Sequence, residues 1–550
     1  MRTGLPIQTA TIIFLAEEGL SIGGEKEQVQ TKKLAKPQLA EPPLQVGQKI
    51  ALTVEGLGTH GEGVARWTEE GATARPAAEV PPAFTVFVEG AIPGDQVQAK
   101  IVEVKRNYAR GRVVELLQPS PHRVIPRCPV YAECGGCQLQ EMEYPEQLRW
   151  KMRFVADALT RIGGLKDFEL RETLAAENPW FYRNKAIFPV GRSPSPPAAF
   201  SQSASLPRPF DGTFRLADPQ LAVTRRRANA ERLVAGLYAR GTHRIIDLST
   251  CPIQHPTNNE ILAVTKELLG RYGYPPYDES SGQGLIRHLM ARTAKATGQA
   301  MVGLVINGTA LPAGKKFAAD LRRRLPAVKS VVLNINRQRT NVIFGERTVL
   351  LDGEEAIEDR LGDLTFRLSA RSFFQVNPEQ AEALYRRARE YSRLTGKELV
   401  IDAFTGTGTI ALFLAGEAGQ VIGIEEIPEA VADARENARR NGITNVDFRQ
   451  GKVEEVLPAL AGGGLHPEVV VLDPPRRGVE EKALAAIAQL EPERIVYVSC
   501  NPATLARDLA YLVREGYRVE EVQPVDMFPQ TAHVEAVALV VRDKSGVAMI

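Results

Sequence analysis

The C-terminal part of the chain, from residue 398 to the end, alternates short apolar runs with amphipathic stretches of helix length. Apolar runs begin at Leu399, Val421, Val469 and Ile495, and polar or mixed segments separate them. Strands of a parallel sheet that helices cover on both faces are apolar along nearly their whole length. The pattern therefore predicts an α/β domain with a mainly parallel sheet at residues 391–550.

Residues 46–117 have a different pattern, in which short β-rich runs alternate with glycines. The runs at 50–54, 84–88, 97–104 and 111–116 have strand character, and Pro93-Gly94-Asp95 is a turn signal. Short strands at this spacing are typical of a small barrel of the oligonucleotide-binding (OB) type. We assign this barrel to residues 43–118 and interpret residues 1–42, which lack sustained periodicity, as a flexible extension.

The central residues 119–390 mix helix and strand patterns and predict an α+β domain. Residues 193–233 stand out within it as an insertion rich in Ser, Pro, Ala and Arg. This composition predicts a surface loop or a partly disordered arm.

The 550 residues carry a net charge of +2 and are 44% hydrophobic and 24% charged, which is ordinary for a soluble globular protein. Basic clusters such as 225–227 and 322–324 are local, so charge alone neither requires nor excludes nucleic-acid binding. The longest apolar run near the start, 11–16, is too short for a signal sequence, and no later run approaches the roughly 18 apolar residues of a spanning helix. We expect a cytoplasmic protein with no membrane partner.

A cofactor site is predicted where the first apolar run of the C-terminal domain ends. The run 399–404 leads into Thr405-Gly406-Thr407-Gly408, and glycines at such a turn let backbone N–H groups approach a ligand. Glu425 ends the next run, about 20 positions on, where a carboxylate can accept hydrogen bonds from a ribose. The turn lacks the third glycine of the dinucleotide fingerprint, which favours a ligand such as S-adenosylmethionine. Asp473 ends another strand at the same predicted edge of the sheet.

Cys500 and Glu535 are the candidate catalytic pair. Cys500 follows the run 495–499 and precedes a helix that starts near Pro502, where helix N–H groups stabilise a thiolate. Glu535 enters an otherwise apolar strand, and burial would raise its pKa and suit it to proton abstraction. A small buried cysteine and a solvated strand-start charge are the structural alternatives. A thiolate that adds to C6 of uracil activates C5 for methylation, and a base must then remove the C5 proton.

Together these motifs resemble the RNA uracil-C5 methyltransferase family. The resemblance extends from about residue 46 to the end, apart from the insertion. The segments that carry it are 372–378, 402–408, 473–476, 499–504 and 526–529, with His533 and Glu535. It implies a class I, S-adenosylmethionine-dependent enzyme with a Rossmann-like methyltransferase domain at the C-terminus. The N-terminal barrel resembles the TRAM domain, an RNA-binding module.

The same resemblance implies roles for individual residues. Cys500 would be the nucleophile and Glu535 the base. The residues expected to contact the cofactor or the target site are Gln375, Phe404, Glu425 and Asp473.

The other four cysteines form a separate predicted site. Cys128, Cys134 and Cys137 lie within ten residues, and Cys251 stands alone before a proline. Four thiolates can hold zinc or an iron–sulfur cluster, and the lack of paired Cys-x-x-Cys knuckles favours the cluster. The first gap, of five residues, also differs from the radical S-adenosylmethionine spacing. The family resemblance implies a [4Fe–4S] cluster within the central domain.

Structured RNA is the expected partner, and we expect the chain to act as a monomer. The TRAM-like barrel and the cluster cysteines favour a uridine of 23S ribosomal RNA as the target, with the T-loop uridine of transfer RNA as the alternative. Residues 193–233 either add to the RNA contact or form a passive loop. Cytosine-C5 and adenine amino methylation fit less well, because residues 476–478 lack the cysteine and the aromatic typical of those enzymes. An intact Cys500 and Glu535 argue against a non-catalytic RNA-binding protein.

Overall fold

A computed structural model describes residues 42–68, 83–192 and 233–543 of the chain. The predicted N-terminal extension and the predicted insertion, apart from residues 42 and 233, lie outside the described residues. Among the described helices, none is both long and apolar enough to cross a membrane.

The N-terminal part forms a closed five-stranded barrel with the strand order β1-β2-β3-β5-β4. Its strands are β1 (Lys49–Leu57), β2 (Gly63–Trp67), β3 (Phe84–Glu89), β4 (Gln96–Val104) and β5 (Tyr108–Gln118). Burial alternates along β1, because successive side chains point to opposite faces of a strand. The predicted barrel is therefore confirmed. Strand β2 was not predicted, because the glycines around it mask the strand pattern.

The central part is built on a seven-stranded sheet with the order β13-β12-β11-β10-β7-β8-β9. The elements are α1 (Tyr144–Arg161), β6 (Glu169–Leu170), β7 (Lys185–Arg192), β8 (Leu233–Tyr238), β9 (Ile245–Asp247), α2 (Pro256–Arg271), β10 (Ile286–Thr293), β11 (Ala300–Ile306), α3 (Gly314–Arg324), β12 (Val328–Ile335), β13 (Arg347–Gly353), β14 (Ile357–Leu361) and β15 (Leu364–Leu368). Every residue of β10 and β11 is buried, which places these strands at the centre of the sheet. Strands β14 and β15 form a separate two-stranded sheet.

The C-terminal part is an eight-stranded sheet with the order β18-β17-β16-β19-β20-β22-β21-β6. The elements are α4 (Pro378–Ser392), β16 (Leu399–Ala403), α5 (Thr409–Ala415), β17 (Gln420–Glu425), α6 (Pro428–Arg440), β18 (Val446–Gln450), α7 (Val453–Gly462), β19 (Val469–Leu472), α8 (Glu481–Leu490), β20 (Arg494–Ser499), α9 (Pro502–Arg514), β21 (Tyr517–Val525) and β22 (Glu535–Arg542). Strands β16 to β20 are parallel, as the apolar runs predicted, and β22 lies antiparallel to both neighbours. The chain order reverses between β16 and β19, and ligands bind at such a switch point.

Helix α1 and strand β6 pack with the C-terminal sheet although they precede the central sheet in sequence. Strand β6 pairs with β21, and Trp150, Phe154 and Val155 of α1 share one apolar core with β20 and α9. The domain boundaries 43–118, 119–390 and 391–550 therefore remain predictions.

A buried ion pair fixes the loop of residues 526–534 between β21 and β22. Lys151 of α1 donates a hydrogen bond to the Asp526 carboxylate, and both side chains are 0% exposed. Lys151 Nζ also donates to the Phe528 carbonyl at 3.0 Å. Further contacts join Asn377 to Met527, Tyr182 to Pro529 and Gln147 to Gln530. The start of β22, and with it Glu535, is therefore positioned by α1 and by the start of α4.

Replacing Lys151 by Met should destabilise the fold by about 3–5 kcal/mol, because Asp526 is left buried without its cation. Urea unfolding followed by circular dichroism measures this loss. The exposed Lys166→Met variant is the control and should unfold like the wild type. Adding Asp526→Asn to Lys151→Met should recover part of the stability. Unfolding of Lys151→Met within about 1 kcal/mol of the wild type would contradict the proposed importance of the pair.

Candidate active site

The turn after β16 is shaped by the buried Asp402 carboxylate and by Gly408. Asp402 accepts hydrogen bonds from the Thr405 hydroxyl at 2.6 Å and from the Ala411 N–H at 3.0 Å, which ties the strand to α5. Gly408 has a φ of 82°, and a Cβ there would lie 3.0 Å from the Phe448 ring. A side chain at this position would therefore meet both strain and a steric clash.

Phe404, directly after β16, has a φ of 69°, which is rare for a residue with a large side chain. Backbone strain of this kind concentrates at functional sites. The Phe404 side chain lines a cavity of about 450 Å³ at the switch point of the sheet. Other residues that line it include Arg183, Phe373, Gln375, Tyr385, Gly406, Asp473, Arg476, Cys500, Phe528, His533 and Glu535.

Residues 369–377 form the loop that brings Phe373 and Gln375 to this cavity. Fully buried Arg292 of β10 donates hydrogen bonds to the carbonyls of Ser369 and Ser372. Asn184 donates to the Gln375 carbonyl at 3.2 Å. The central sheet therefore holds one wall of a cavity whose other walls belong to the C-terminal sheet.

Cys500 and Glu535 lie on adjacent strands at the same edge of the sheet. Cys500 follows the last residue of β20, and Glu535 is the first residue of β22, which pairs with β20. Burial raises the pKa of Glu535, which is 4% exposed, to about 8, and the charge of Asp473 adds to this shift while Arg476 opposes it. The carboxyl group is therefore largely protonated at neutral pH in the protein without substrate.

Burial also raises the pKa of Cys500 to about 11, with further increases from Glu535 and Asp473 and an opposing effect of Arg476. This differs from the sequence-based expectation that the start of α9 would stabilise a thiolate. Desolvation and two neighbouring carboxylates outweigh the helix N-terminus in the protein alone. Asp473 is itself desolvated, and its pKa is raised to about 7.

A second cavity, of about 470 Å³, lies on the barrel side of Cys500. Cys500, Arg476 and His533 line both cavities. The barrel contributes His60, Phe87, Tyr108 and Arg110 to the second one. The thiol of Cys500 is thus reached from the sheet edge on one side and from the barrel on the other.

Comparisons with known proteins identify the family and the N-terminal domain of this chain. The family model described as tRNA (uracil-5-)-methyltransferase matches residues 293–543, and the TRAM domain model matches residues 43–114. An uncharacterized RNA methyltransferase of Halalkalibacterium halodurans is 43% identical over 499 residues, which cover 91% of this chain and 98% of that protein. A similar protein of Caldanaerobacter subterraneus is 42% identical over 499 residues, with 91% and 99% covered.

The chain belongs to the tRNA (uracil-5-)-methyltransferase family. The crystal structure of Pyrococcus abyssi tRNA (uracil-54, C5)-methyltransferase in complex with S-adenosyl-L-homocysteine is similar to it, with a TM-score of 0.65 and 25% identity. The match covers 90% of this chain and all of that one. This chain is accordingly an S-adenosylmethionine-dependent RNA (uracil-C5-)-methyltransferase with an N-terminal TRAM domain.

The structure of this methyltransferase brings five of the six predicted active-site residues to one cavity. These are Gln375, Phe404, Asp473, Cys500 and Glu535. Glu425 lies at the end of β17, outside the lining of that cavity. Its carboxylate accepts hydrogen bonds from the N–H groups of Gly406 at 3.0 Å and Ile427 at 2.8 Å. In the protein alone, Glu425 therefore holds the glycine turn.

Among the residues that line the cavity without having been predicted to do so are Tyr385, Arg183 and Arg476. Tyr385 of α4 is buried, and its pKa lies well above the ordinary value because of desolvation and the charge of Asp473. Arg183 comes from the segment before β7. Arg476 was noted in the sequence only because it replaces an aromatic residue. None of these positions carries a periodic signal that separates it from ordinary core or surface residues.

The remaining four cysteines of the methyltransferase line one small cavity in the central part. Cys128, Cys134, Cys137 and Cys251 come together there although the last is distant in sequence. Burial raises the pKa of Cys137 to about 12 and that of Cys251 to about 11, with smaller increases from the neighbouring cysteines. Among the described residues, no group of three or more His, Cys, Asp or Glu side chains is arranged to hold a single metal ion.

The raised pKa of Glu535 predicts how stability depends on pH. The fold favours protonated Glu535. The stability that this preference contributes is fully present below the ordinary pKa of about 4.5, and it is lost as the pH rises towards 8. Glu535→Gln should remove this loss and be more stable than the wild type at pH 8 by roughly 2–4 kcal/mol. Thermal unfolding between pH 5 and 8.5 measures the difference. The exposed Glu515→Gln variant should follow the wild type, and a wild-type-like pH profile of Glu535→Gln would contradict the prediction.

Proposed function

We propose that this enzyme methylates C5 of a specific uridine through a covalent bond between Cys500 and C6 of the base, with Glu535 as the base that completes the reaction. The observation that carries the proposal is the position of Cys500. Its side chain lines both the cavity at the glycine turn and the cavity beside the barrel, and Glu535 shares the first of these.

The chemistry follows from the weakness of uracil C5 as a nucleophile. Cys500 Sγ adds to C6, and the electron pair of the C5–C6 bond moves into an enolate, so that C5 can attack an electrophile. S-adenosylmethionine would supply that electrophile as the methyl group on its sulfonium, so that a C5–CH3 bond forms, the CH3–S bond breaks and S-adenosylhomocysteine leaves. Glu535 then takes the C5 proton, the C5–C6 double bond re-forms, and Cys500 leaves as a thiolate.

Two charges favour the ionised forms that this sequence of steps needs. Arg476 lines both cavities, and its positive charge opposes the rise that burial causes in the pKa of Cys500 and of Glu535. A positively charged methyl donor near Asp473 would act in the same direction, because an opposite charge favours an anion. We propose Gln375, Phe404 and Asp473 as contacts of the donor and the Glu425 carboxylate as the acceptor for its ribose.

The barrel side of Cys500 has the features of a nucleotide site. Phe87, Tyr108 and His60 offer ring surfaces, and Arg110 lies 5.8 Å from the centroids of the Phe87 and Tyr108 rings. Unpaired bases stack on such aromatic and guanidinium surfaces. A uridine turned out of a folded RNA could reach Cys500 from this side.

We propose a uridine of 23S ribosomal RNA as the target. The TRAM domain and the cluster cysteines favour ribosomal RNA over transfer RNA. The T-loop uridine of transfer RNA is a second candidate, supported by the similarity to the P. abyssi tRNA (uracil-54, C5)-methyltransferase. Loss of one 5-methyluridine from 23S RNA in a deletion strain, measured by mass mapping, is the expected result. Loss from transfer RNA alone would overturn the ribosomal assignment and support the second candidate.

The covalent mechanism predicts a stable adduct with RNA that contains 5-fluorouridine, because fluorine at C5 cannot be removed as a proton. Denaturing gels should show the adduct for the wild type and none for Cys500→Ala. The exposed Glu515→Gln variant, which leaves the active-site thiol in place, is the control and should still form it. An adduct in Cys500→Ala, or none in the wild type, would contradict the role of Cys500.

We also propose that Cys128, Cys134, Cys137 and Cys251 hold a [4Fe–4S] cluster. The support is the convergence of four thiols on one apolar cavity, where Leu237, Leu248 and Ile253 also lie. Thiolates at the corners of a cubane lie farther apart than the ligands of one ion, which accords with the lack of a single-ion site among the described residues. The cluster would cross-link the Cys128–Cys137 segment to the start of α2.

Protein purified without oxygen should contain iron and sulfide in equal amounts and absorb visible light. Cys251→Ser should lose the absorption and most of the iron, since one of four ligands is gone. Cys500→Ser is the matched control and should keep both. Zinc in place of iron, or an unchanged iron content in Cys251→Ser, would contradict the cluster.

A further inference from the structure

A separate cavity, of about 370 Å³, lies at one end of the central sheet, and it shares no lining residue with the two cavities beside Cys500. Its walls come from the end of β8, the start of β10 and the loop that follows β12. The residues that matter for its chemistry are Tyr238, His243, Tyr277, Glu279, Arg287 and His288.

Arg287 forms the floor of this cavity and keeps an unused donor. Its side chain is 7% exposed, and Nη1 donates to the carbonyls of Asn336 at 3.0 Å and Gln338 at 2.7 Å. The guanidinium lies 4.7 Å from the centroid of the Tyr277 ring. Its Nε is buried and has no hydrogen-bond partner. An unsatisfied buried donor destabilises a fold, which is why such groups are associated with ligand binding.

His288, the next residue of β10, also has a buried nitrogen without a hydrogen-bond partner. It is 9% exposed, and its Nδ1 is buried without a hydrogen-bond partner. Burial lowers the pKa of His288 to about 4, and the charge of Arg287 lowers it further. The imidazole is therefore neutral near pH 7, so one nitrogen accepts and the other donates a hydrogen bond.

The outer wall combines rings with a carboxylate. The Tyr238 and His243 rings lie 5.4 Å apart, and Glu279 accepts hydrogen bonds from the Tyr238 hydroxyl at 3.3 Å and pairs with His243 Nδ1 at 2.7 Å. Glu279 brings a carboxylate to a cavity that Arg287 and Arg339 also line, so both signs of charge are present. A base, which has a π face and N–H donors, matches rings, a carboxylate and a neutral imidazole together.

We propose that this cavity binds one unpaired nucleotide of the RNA substrate, outside the methylation site. Its base would stack on the Tyr277 side of the cavity and bond to Arg287 and His288. The inference rests on the proposed action on RNA. Within strand β10, His288 lies about 14 Å from Arg292, the residue that holds the 369–377 loop of the active site. A nucleotide bound here is therefore close enough to help place the target uridine.

Substitutions of Tyr277 test the proposal through RNA affinity. RNA from a strain that lacks this gene is the probe, and the dissociation constant is measured in a Cys500→Ala background, so that binding is measured without methylation. Tyr277→Ala should weaken binding on the order of tenfold, the usual effect of losing one stacked base. Tyr277→Phe keeps the ring and should bind within about twofold of the parent. Equal affinity of the Ala and Phe variants would overturn the proposal.

Photocrosslinking keeps the test independent of how Tyr277→Ala folds. The same RNA, made with 4-thiouridine, should crosslink to Tyr238, Tyr277 or His288, and mass spectrometry of the peptides identifies the site. Crosslinks confined to the barrel and to the cavities beside Cys500 would overturn the proposal. Failure of the proposed function would look different from failure of this site. In that case the wild-type enzyme itself would form no 5-methyluridine.

Discussion

One buried ion pair underlies the geometry of the active site. Lys151 and Asp526 come from elements 375 residues apart in sequence, and neither side chain reaches solvent. Removing two charges from water is unfavourable, so such a pair persists where both partners are held in place. It fastens the 526–534 loop to α1, and Glu535 begins the next strand. The carboxylate that the proposed reaction needs is thereby placed beside Cys500.

The electrostatics of the cavity favour the protonated forms of Cys500 and Glu535 in the protein alone. Asp473, Glu535 and Cys500 are all desolvated. The charge of Asp473 raises the pKa of Glu535 and of Cys500, and the charge of Glu535 raises the pKa of Cys500 further. Arg476 compensates only in part. A cationic methyl donor bound near Asp473 would add a compensating positive charge. This coupling would keep the thiol unreactive until the donor is bound.

Much of the C-terminal fold could be predicted, because its parallel strands are apolar runs and its glycine turn is local in sequence. The closeness of Cys500 and Glu535 could be inferred from their places at strand ends. The packing of α1 and β6 onto the C-terminal sheet could not, since their partners are over 300 residues away. Lys151 looks like any helix lysine in the sequence. Tyr385 and Arg183 likewise reach the cavity only through tertiary packing, and the raised pKa of Cys500 depends on neighbours that no local pattern reveals.

The reaction of Glu535→Gln with unmodified RNA and S-adenosylmethionine tests the central claim most directly. Without a base to take the C5 proton, the methylated intermediate should remain attached to the enzyme. Mass spectrometry should then find the peptide that contains Cys500 linked to a methylated uridine nucleotide, and the wild type should release its product instead. Release of 5-methyluridine RNA by Glu535→Gln at the wild-type rate, or an adduct on any other residue, would contradict the paired roles of Cys500 and Glu535.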